Sequence, residues 1–202
     1  MFQPPEVWAK LLEQGVLYVD ESHERFADNS DQTVIAAYDW MRQQMHLRIP
    51  GYEWHYPWWA YTHFLDLRFY RFHTWPPYTS TVRIELCLPA DKVLLSSYDA
   101  WHCVLNRQYL PDAPDWDSYE RDLDAWEDQV RQVVQDASHS SILCEPWESR
   151  LRASWERIFD GNVTASQQVI QATFEQLNLS NVRRATMFMP IECRNNPIGA
   201  QE

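Results

Sequence analysis

Strict alternation of apolar and polar residues marks the clearest strand of the sequence. Over residues 81–88, Val82 and Ile84 alternate with Arg83 and Glu85. A period of two is typical of a strand with one buried face. Shorter extended runs, rich in β-branched and aromatic residues, indicate further strands. These are predicted at residues 16–19, 52–61, 93–95, 169–177 and 185–191, with turn residues at 178–181.

Apolar residues at helical spacing predict helices between these strands. One helix carries Val34, Tyr38 and Met41 on a single face and ends before Pro50. Helices are predicted at 6–14, from N-caps at 29–31 to Pro50, from Ser97 or Asp99 to Pro111, at 112–134 and at 146–159. Strands at both ends with helices between them favour an α+β fold. We therefore expect one domain over residues 1–202, with a helical insertion at about 112–160.

The chain is acidic, with 17 Lys and Arg residues against 29 Asp and Glu residues and a net charge of -12. This charge argues against tight, sequence-independent DNA binding, which depends on neutralised phosphates. A brief enzymatic encounter with RNA needs less attraction and stays open. No apolar run reaches the ~18 residues of a membrane helix, and no secretory signal is evident. We expect a cytoplasmic protein that makes no membrane contact.

Several common kinds of functional site lack their motifs in this sequence. With four glycines, the chain has neither G-x-G-x-x-G nor a P-loop. Its seven histidines form no His-x-x-x-His pair, and its four cysteines form no Cys-x-x-Cys pair. G-x-S-x-G is also absent. The sequence predicts no metal site and no serine nucleophile, and it favours buried free thiols.

One helix face and one strand face carry candidate polar groups. Asp99, His102 and Asn106 stand at i, i+3 and i+7, so one helix face can present a carboxylate, an imidazole and an amide. Capping by Asp99, partial burial of His102 and helix termination at Asn106 are the alternative. Gln171 and Glu175 flank Thr173 on one strand face, which lines a cleft or simply faces solvent.

Two further features each have two interpretations. Arg68 and Arg71 bind a phosphate or pair with acidic neighbours. An exposed subset of Trp54, Trp58 and Trp59 would form a stacking platform, although most tryptophans are expected in the core.

The region 112–128 holds eight acidic residues and one basic residue. It predicts a helix whose acidic face either docks a basic partner segment or keeps the protein in solution.

Segments spread along nearly the whole chain resemble a bacterial family of domains of uncharacterised function. These segments are QPPEVW at 3–8, GVLY at 15–18, YDWM at 38–41, YPWWA at 56–60, VLLSSYDAWH at 93–102 and IQATF at 170–174. The layout also resembles an abbreviated ADP-ribosyltransferase fold, with a split β-sheet core and inserted helices. It is similar, finally, to the toxin of toxin–antitoxin–chaperone systems that defend bacteria against phage.

The resemblance implies an enzyme that uses NAD as co-substrate and needs no metal. Such enzymes hold NAD in a cleft between two sheets and place a glutamate from a late strand against the ribose. Gln171 or Glu175 stands nearest that position, and Gln171 would replace the usual carboxylate. Asp99 and His102 would orient the ribose or take a proton from the acceptor.

The same resemblance implies a set of groups that bind the co-substrate. Gln3 would contact the nicotinamide amide, and Trp59 or Tyr61 would stack on the nicotinamide ring. Arg68 would face the pyrophosphate. Asn106, on the helix face already described, completes the predicted cofactor-binding set.

The expected function is therefore ADP-ribosyl transfer to nucleic acid, with mRNA as the first expectation and with an antitoxin and a chaperone as protein partners. Two alternatives come from other classes. One is a non-catalytic protein-interaction module with an aromatic binding surface. The other is a metal-independent ribonuclease that uses His102.

Overall fold

A computed structural model describes residues 1–19, 32–63, 80–113, 115–136, 145–160 and 169–188. Within these ranges the chain forms eight strands and five helices, which confirms the coarse expectation of a fold that mixes helices and strands. The strands are β1 (Phe2–Gln3), β2 (Val16–Tyr18), β3 (Trp58–Tyr61), β4 (Thr81–Leu86), β5 (Leu94–Ser97), β6 (Ile170–Phe174), β7 (Gln176–Asn178) and β8 (Val182–Phe188). The helices are α1 (Pro5–Gln14), α2 (Gln32–Arg48), α3 (Tyr98–Leu105), α4 (Trp116–Asp136) and α5 (Trp147–Trp155). None of the helices in the described ranges is long and apolar enough to cross a bilayer.

The described strands form three small sheets with the strand orders β1-β4-β8, β3-β6-β5 and β2-β7. In the first, β4 pairs antiparallel with both neighbours, with Phe2 opposite Arg83 and Ile84 opposite Ala185. In the two-stranded sheet, Leu17 lies opposite Leu177. The partners are distant in sequence, so each sheet depends on long-range pairing.

The chain divides into two compact units. The first comprises Met1–Glu21, Met45–Leu94 and Ala172–Glu202, and the second comprises Ser22–Gln44 and Leu95–Gln171. The predicted helical insertion at 112–160 lies within the second unit.

The buried cluster around Phe174 in the first unit is otherwise aliphatic. Phe174 is 1% exposed and belongs to a buried cluster against which Trp58 and Ala60 pack. Burying one such ring contributes about 1.5–3 kcal/mol relative to leaving it in water. The other buried members of this cluster are Met1, Leu11, Leu17, Val82, Ile84 and Leu177.

The core of the second unit is built on tryptophans. Trp40 meets Trp155 edge to face, with ring centroids 5.6 Å apart, and stacks on Phe159 at 5.9 Å. Tyr38 meets Trp101 edge to face at 5.7 Å. These aromatic pairs add about 0.5–1.5 kcal/mol each beyond the area that they bury. Trp40, Trp101 and Trp155 are core residues, as expected of most tryptophans, whereas Trp54 and Trp116 are exposed.

Several predicted element boundaries were wrong. The strand expected over 52–61 begins only at Trp58. The strand expected over 169–177 is broken at Glu175 into β6 and β7, and the one expected from residue 185 begins earlier, because Val182 already pairs with Leu86. Residues 189–191 of that strand and the helix caps at 29–31 lie outside the described residues.

The helix expected from residue 112 begins at Trp116, because the carboxylate of Asp115 caps it. Asp115 Oδ1 accepts from the Ser118 N–H at 2.8 Å and from the Ser118 hydroxyl. These hydrogen bonds favour the ionised form and lower the pKa of Asp115.

An ion-pair network in the second unit makes its stability depend on pH. Glu148 accepts from Arg107 at 2.6 Å and from Arg152 at 2.8 Å, and its side chain is 13% exposed. Burial by itself raises the pKa of Glu148, but the hydrogen bonds and charges of the two arginines together outweigh it and lower the pKa.

We expect the network to stabilise the protein at pH values above 4.5, the ordinary pKa of glutamate. This stabilisation should be lost as the pH falls below that value. The folded-state pKa is the lower one, so acid protonates the unfolded chain first. Thermal midpoints measured from pH 7 to pH 3 should fall more steeply for the wild type than for Glu148→Gln. Parallel curves for the two proteins would contradict the expectation.

Candidate functional site

A carboxylate between two strands organises the most distinctive polar cluster of the first unit. Glu175 Oε1 accepts from the backbone N–H of Glu53 at 2.7 Å and from that of His55 at 3.4 Å. It also lies 3.0 Å from Nδ1 of His55. The Glu175 side chain is 15% exposed. Within the described residues, the hydrogen bonds of this carboxylate all use Oε1.

The chain at Glu53–His55 is bent around this carboxylate. Trp54 adopts a φ of 72°, in the left-handed region that a bulky side chain rarely enters. Such a backbone costs about 1–3 kcal/mol and persists where surrounding contacts determine it. Here the flanking N–H groups both donate to Glu175, and the Tyr52 hydroxyl donates to the His55 carbonyl. The strained turn therefore holds the carboxylate in place.

The imidazole of His55 is oriented from two sides. A carboxylate oxygen only accepts, so Nδ1 carries the hydrogen and the second ring nitrogen, Nε2, is free to accept one. The ring of Tyr18 packs against the imidazole with centroids 4.2 Å apart and planes inclined by 30°. Tyr18 is itself held, since its hydroxyl donates to Gln176 Oε1 at 3.1 Å. The His55 side chain is 35% exposed, so solvent and ligands can reach it.

Two of the predicted ring-stacking residues share one face of β3. Trp58 and Ala60 pack against the core cluster that contains Phe174. Side chains alternate along a strand, so Trp59 and Tyr61 point to the opposite face. Both are half-buried. Thr173, which alternates with Phe174 on the neighbouring strand β6, belongs to that same face of the sheet.

The polar row of β6 does not face solvent, so that interpretation is wrong. Gln171 is 4% exposed and Thr173 is fully buried. Gln171 Nε2 donates to Ser96 Oγ at 3.3 Å, and the Thr173 hydroxyl donates to the Leu94 carbonyl at 3.1 Å. Burial of these polar groups is tolerated because both find hydrogen-bond partners on β5.

The predicted polar face of α3 is present and exposed, but its helix cap differs from one of the two expected. Ser97 caps the helix by accepting from the Ala100 N–H, so Asp99 is not the cap. Asp99, His102 and Asn106 are all exposed, which overturns partial burial of His102. His102 Nδ1 lies 2.9 Å from the Tyr98 carbonyl, and Asn106 donates to the His102 carbonyl at 2.8 Å as the residue that ends the helix. These three residues belong to the second unit, whereas Glu175 and His55 belong to the first.

The remaining predicted binding residues are placed only in part. Gln3 is half-buried in β1, opposite Val82. Arg68 and Arg71 lie outside the described residues. In the described ranges, no three His, Cys, Asp or Glu side chains are grouped so that they could hold a metal ion.

The two described cysteines differ in exposure and in chemistry. Cys87 is exposed, so the expectation of buried thiols was wrong for it, while Cys103 is half-buried. Burial raises the pKa of the Cys103 thiol, although a hydrogen bond with Tyr119 partly opposes this. Burial and the neighbouring Cys103 raise the pKa of Tyr119 to about 12. Cys103 is therefore poorly suited to act as a nucleophile.

We expect a thiol-alkylating reagent at pH 8 to modify Cys87 well before Cys103. The reactive form is the thiolate, which burial disfavours at Cys103, whereas the Cys87 side chain is exposed to the reagent. Peptide mass spectrometry over a time course measures both rates in one sample. Faster labelling of Cys103 would contradict the assignment.

His55 is the residue of this site that sequence reasoning missed. It was assigned no role from the sequence. Its partner Glu175 is 120 residues away in the chain. No local motif signals such a pair, and only the strained turn at Trp54 brings the two together.

Comparison with known proteins gives one match. A family model described as a domain of unknown function, DUF3841, matches residues 1–183. No curated protein and no solved structure matches the chain.

Proposed function

The chain belongs to the DUF3841 family, and from that premise we propose that it is an ADP-ribosyltransferase that transfers ADP-ribose from NAD to nucleic acid, with mRNA as the favoured acceptor. The observation that carries the proposal is the carboxylate of Glu175: one oxygen is fixed by hydrogen bonds, and the other forms none with the described part of the chain.

The chemistry of the reaction calls for such a group. The bond between the ribose C1′ and the nicotinamide nitrogen breaks, and its electron pair leaves with nicotinamide. The ribose then carries developing positive charge until a nucleophilic atom of the acceptor bonds to C1′ and loses a proton. A preorganised carboxylate near that charge stabilises the transition state without reorganising. Glu175 is preorganised by two backbone N–H groups and one imidazole.

Glu175 is a better candidate for this role than Gln171. Gln171 is buried and donates to Ser96, so its amide already has a hydrogen-bond partner inside the protein. It also lacks the negative charge that a cationic ribose requires. We therefore assign the ribose-facing role to Glu175 and a structural role to Gln171.

The sheet arrangement supports the proposal at the level of the fold. A split β-sheet core is what the resemblance to ADP-ribosyltransferases implies. The chain has two separate three-stranded sheets, β1-β4-β8 and β3-β6-β5, and Glu175 directly follows the middle strand of the second. Glu175 thus lies late in the chain and next to the end of a strand, where the resemblance would put the residue that faces the ribose.

The proposed contacts to NAD follow the exposed and half-buried positions already described. Trp59 or Tyr61 would stack on the nicotinamide ring, because both point away from the core cluster. Gln3 and Arg68 remain the proposed contacts of the amide and pyrophosphate. Asp99, His102 and Asn106, on the exposed face of α3 in the second unit, stay predictions of the sequence for the ribose or the acceptor.

The proposed biological role is that of a toxin held in check by an antitoxin with a chaperone, and it rests on the resemblance. One feature of α4 suits such a partner. Asp117, Glu120 and Asp124 are exposed on this helix and would attract a basic antitoxin segment. Reversing these three charges should weaken antitoxin binding, and unchanged affinity would leave them only a role in solubility.

The test is an assay with isotope-labelled NAD and separate RNA, single-stranded DNA and protein acceptors. Label covalently attached to RNA, with release of nicotinamide, is the expected result. Properly folded protein that labels no acceptor would contradict the proposal and favour the interaction module with an aromatic surface. RNA that becomes shorter instead of labelled would favour a ribonuclease.

A further inference from the structure

We infer that His55 is a second catalytic residue, the general base that takes the proton from the acceptor nucleophile. This inference rests on the proposed function and adds a residue that neither the sequence pattern nor the resemblance indicated. It starts from the pair formed by His55 Nδ1 and Glu175 Oε1, 3.0 Å apart.

The pair has the geometry that a general base requires. Glu175 binds Nδ1 and so fixes the tautomer whose second nitrogen, Nε2, carries a free lone pair. When Nε2 takes a proton, the imidazolium lies beside a carboxylate that stabilises its charge. A base held by a third group in this way is the arrangement used to activate hydroxyl and amine nucleophiles.

The surroundings of His55 limit its motion without covering it. Tyr18 packs on the ring at 4.2 Å and is tied to Gln176 by its hydroxyl. The Tyr52 hydroxyl holds the backbone carbonyl of His55. With a side chain 35% exposed, His55 is oriented by neighbours and still accessible to a large acceptor. A positioned base of this kind accelerates proton transfer about 10²–10⁴-fold.

His102, the histidine that the sequence offered as a base, is held differently. His102 Nδ1 lies against a backbone carbonyl, that of Tyr98, which does not neutralise an imidazolium. His55 is therefore the better base, and His102 is left with a binding role on α3.

Sharing one carboxylate links the two steps of the proposed reaction. Oε2 of Glu175 faces the ribose as nicotinamide departs, while Oε1 holds His55. His55 Nε2 then removes the proton from the acceptor atom as that atom bonds to C1′. The proton passes to solvent afterwards, and no other co-reactant is needed.

The test compares wild type, His55→Asn and His63→Asn in three measurements: NAD binding, thermal stability and transfer of label to RNA. Asparagine at position 55 places its amide nitrogen near the position of Nδ1, so the bond to Glu175 is kept while Nε2 is lost. His63 is the matched control, since it is an exposed histidine whose Nδ1 lies 3.0 Å from the Thr62 hydroxyl and which is not part of the proposed site.

We expect His55→Asn to bind NAD and melt as the wild type does, but to transfer label about 100-fold more slowly or worse. Added imidazole should restore part of the rate, and His63→Asn should behave as the wild type. Transfer by His55→Asn at the wild-type rate would overturn the inference while leaving the proposed function standing. A His55→Asn protein that no longer folds or no longer binds NAD, and that imidazole does not rescue, would also overturn the inference. A wild-type protein that labels no acceptor would overturn the proposed function itself.

Discussion

Glu175→Gln should lower the rate of ADP-ribosyl transfer about 100- to 1000-fold, the range found when one preorganised transition-state contact is removed. Glutamine keeps a carbonyl oxygen that can still accept from the Glu53 N–H. Its amide replaces Oε2 with a neutral group, so the charge that would face the ribose is lost. The initial rate of label transfer from NAD to RNA measures the effect.

The matched control for this variant is Glu13→Gln, which makes the same chemical change at an exposed position of α1. It should transfer label at the wild-type rate. Circular dichroism and thermal melting would show whether Glu175→Gln keeps its fold, as we expect from the retained acceptor. A folded Glu175→Gln protein with undiminished transfer would remove the central support of the proposed function.

Local patterns predicted most of the elements, because each pattern reports which face of an element is buried. The alternation along residues 81–88 identified β4, in which Val82 is 1% exposed and Ile84 is 0% exposed. Strand pairing was not predictable in the same way. β1 is only two residues long, too short for any period, and exists because Phe2 pairs with Arg83 far along the chain.

Strand β6 shows why a polar alternation can mislead. Gln171 and Thr173 alternate with apolar residues, which is the usual pattern of a strand with one face in water. A strand can nevertheless bury both faces, provided that the polar groups on them are satisfied. Ser96 and the Leu94 carbonyl provide those partners, and neither is visible from the residues of β6 alone.

The sequence identified one of the two central residues of the candidate site. Glu175 was identified as a candidate from its place near the end of a late strand. The orientation of the Glu175 carboxylate and its partner His55 could not be identified, because both depend on the left-handed turn at Trp54. Sequence reasoning assigns such turns to glycine or asparagine, and a tryptophan there gives no warning. Contacts that form between distant segments thus determine the site chemistry.

Phe174→Ala should have the largest effect on folding, lowering the free energy of unfolding by about 3–5 kcal/mol. Phe174 is 1% exposed and is the largest fully buried side chain described. Its removal loses the transfer free energy of the ring and leaves a cavity that the rigid strand β6 cannot fill by collapsing. Phe174→Leu, which keeps much of the volume, should cost less, about 1–2 kcal/mol.

Urea denaturation followed by tryptophan fluorescence measures both variants, with Leu12→Ala as the control. Leu12 is 54% exposed on α1, so its truncation should change the stability by less than about 0.5 kcal/mol. Equal stabilities for Phe174→Ala and Leu12→Ala would show that the described core does not hold the first unit together. Phe174 directly precedes Glu175, so the core and the site are joined by one peptide bond. Below the denaturation midpoint, Phe174→Leu should therefore also lower label transfer if packing of β6 positions the carboxylate, whereas Leu12→Ala should leave transfer unchanged.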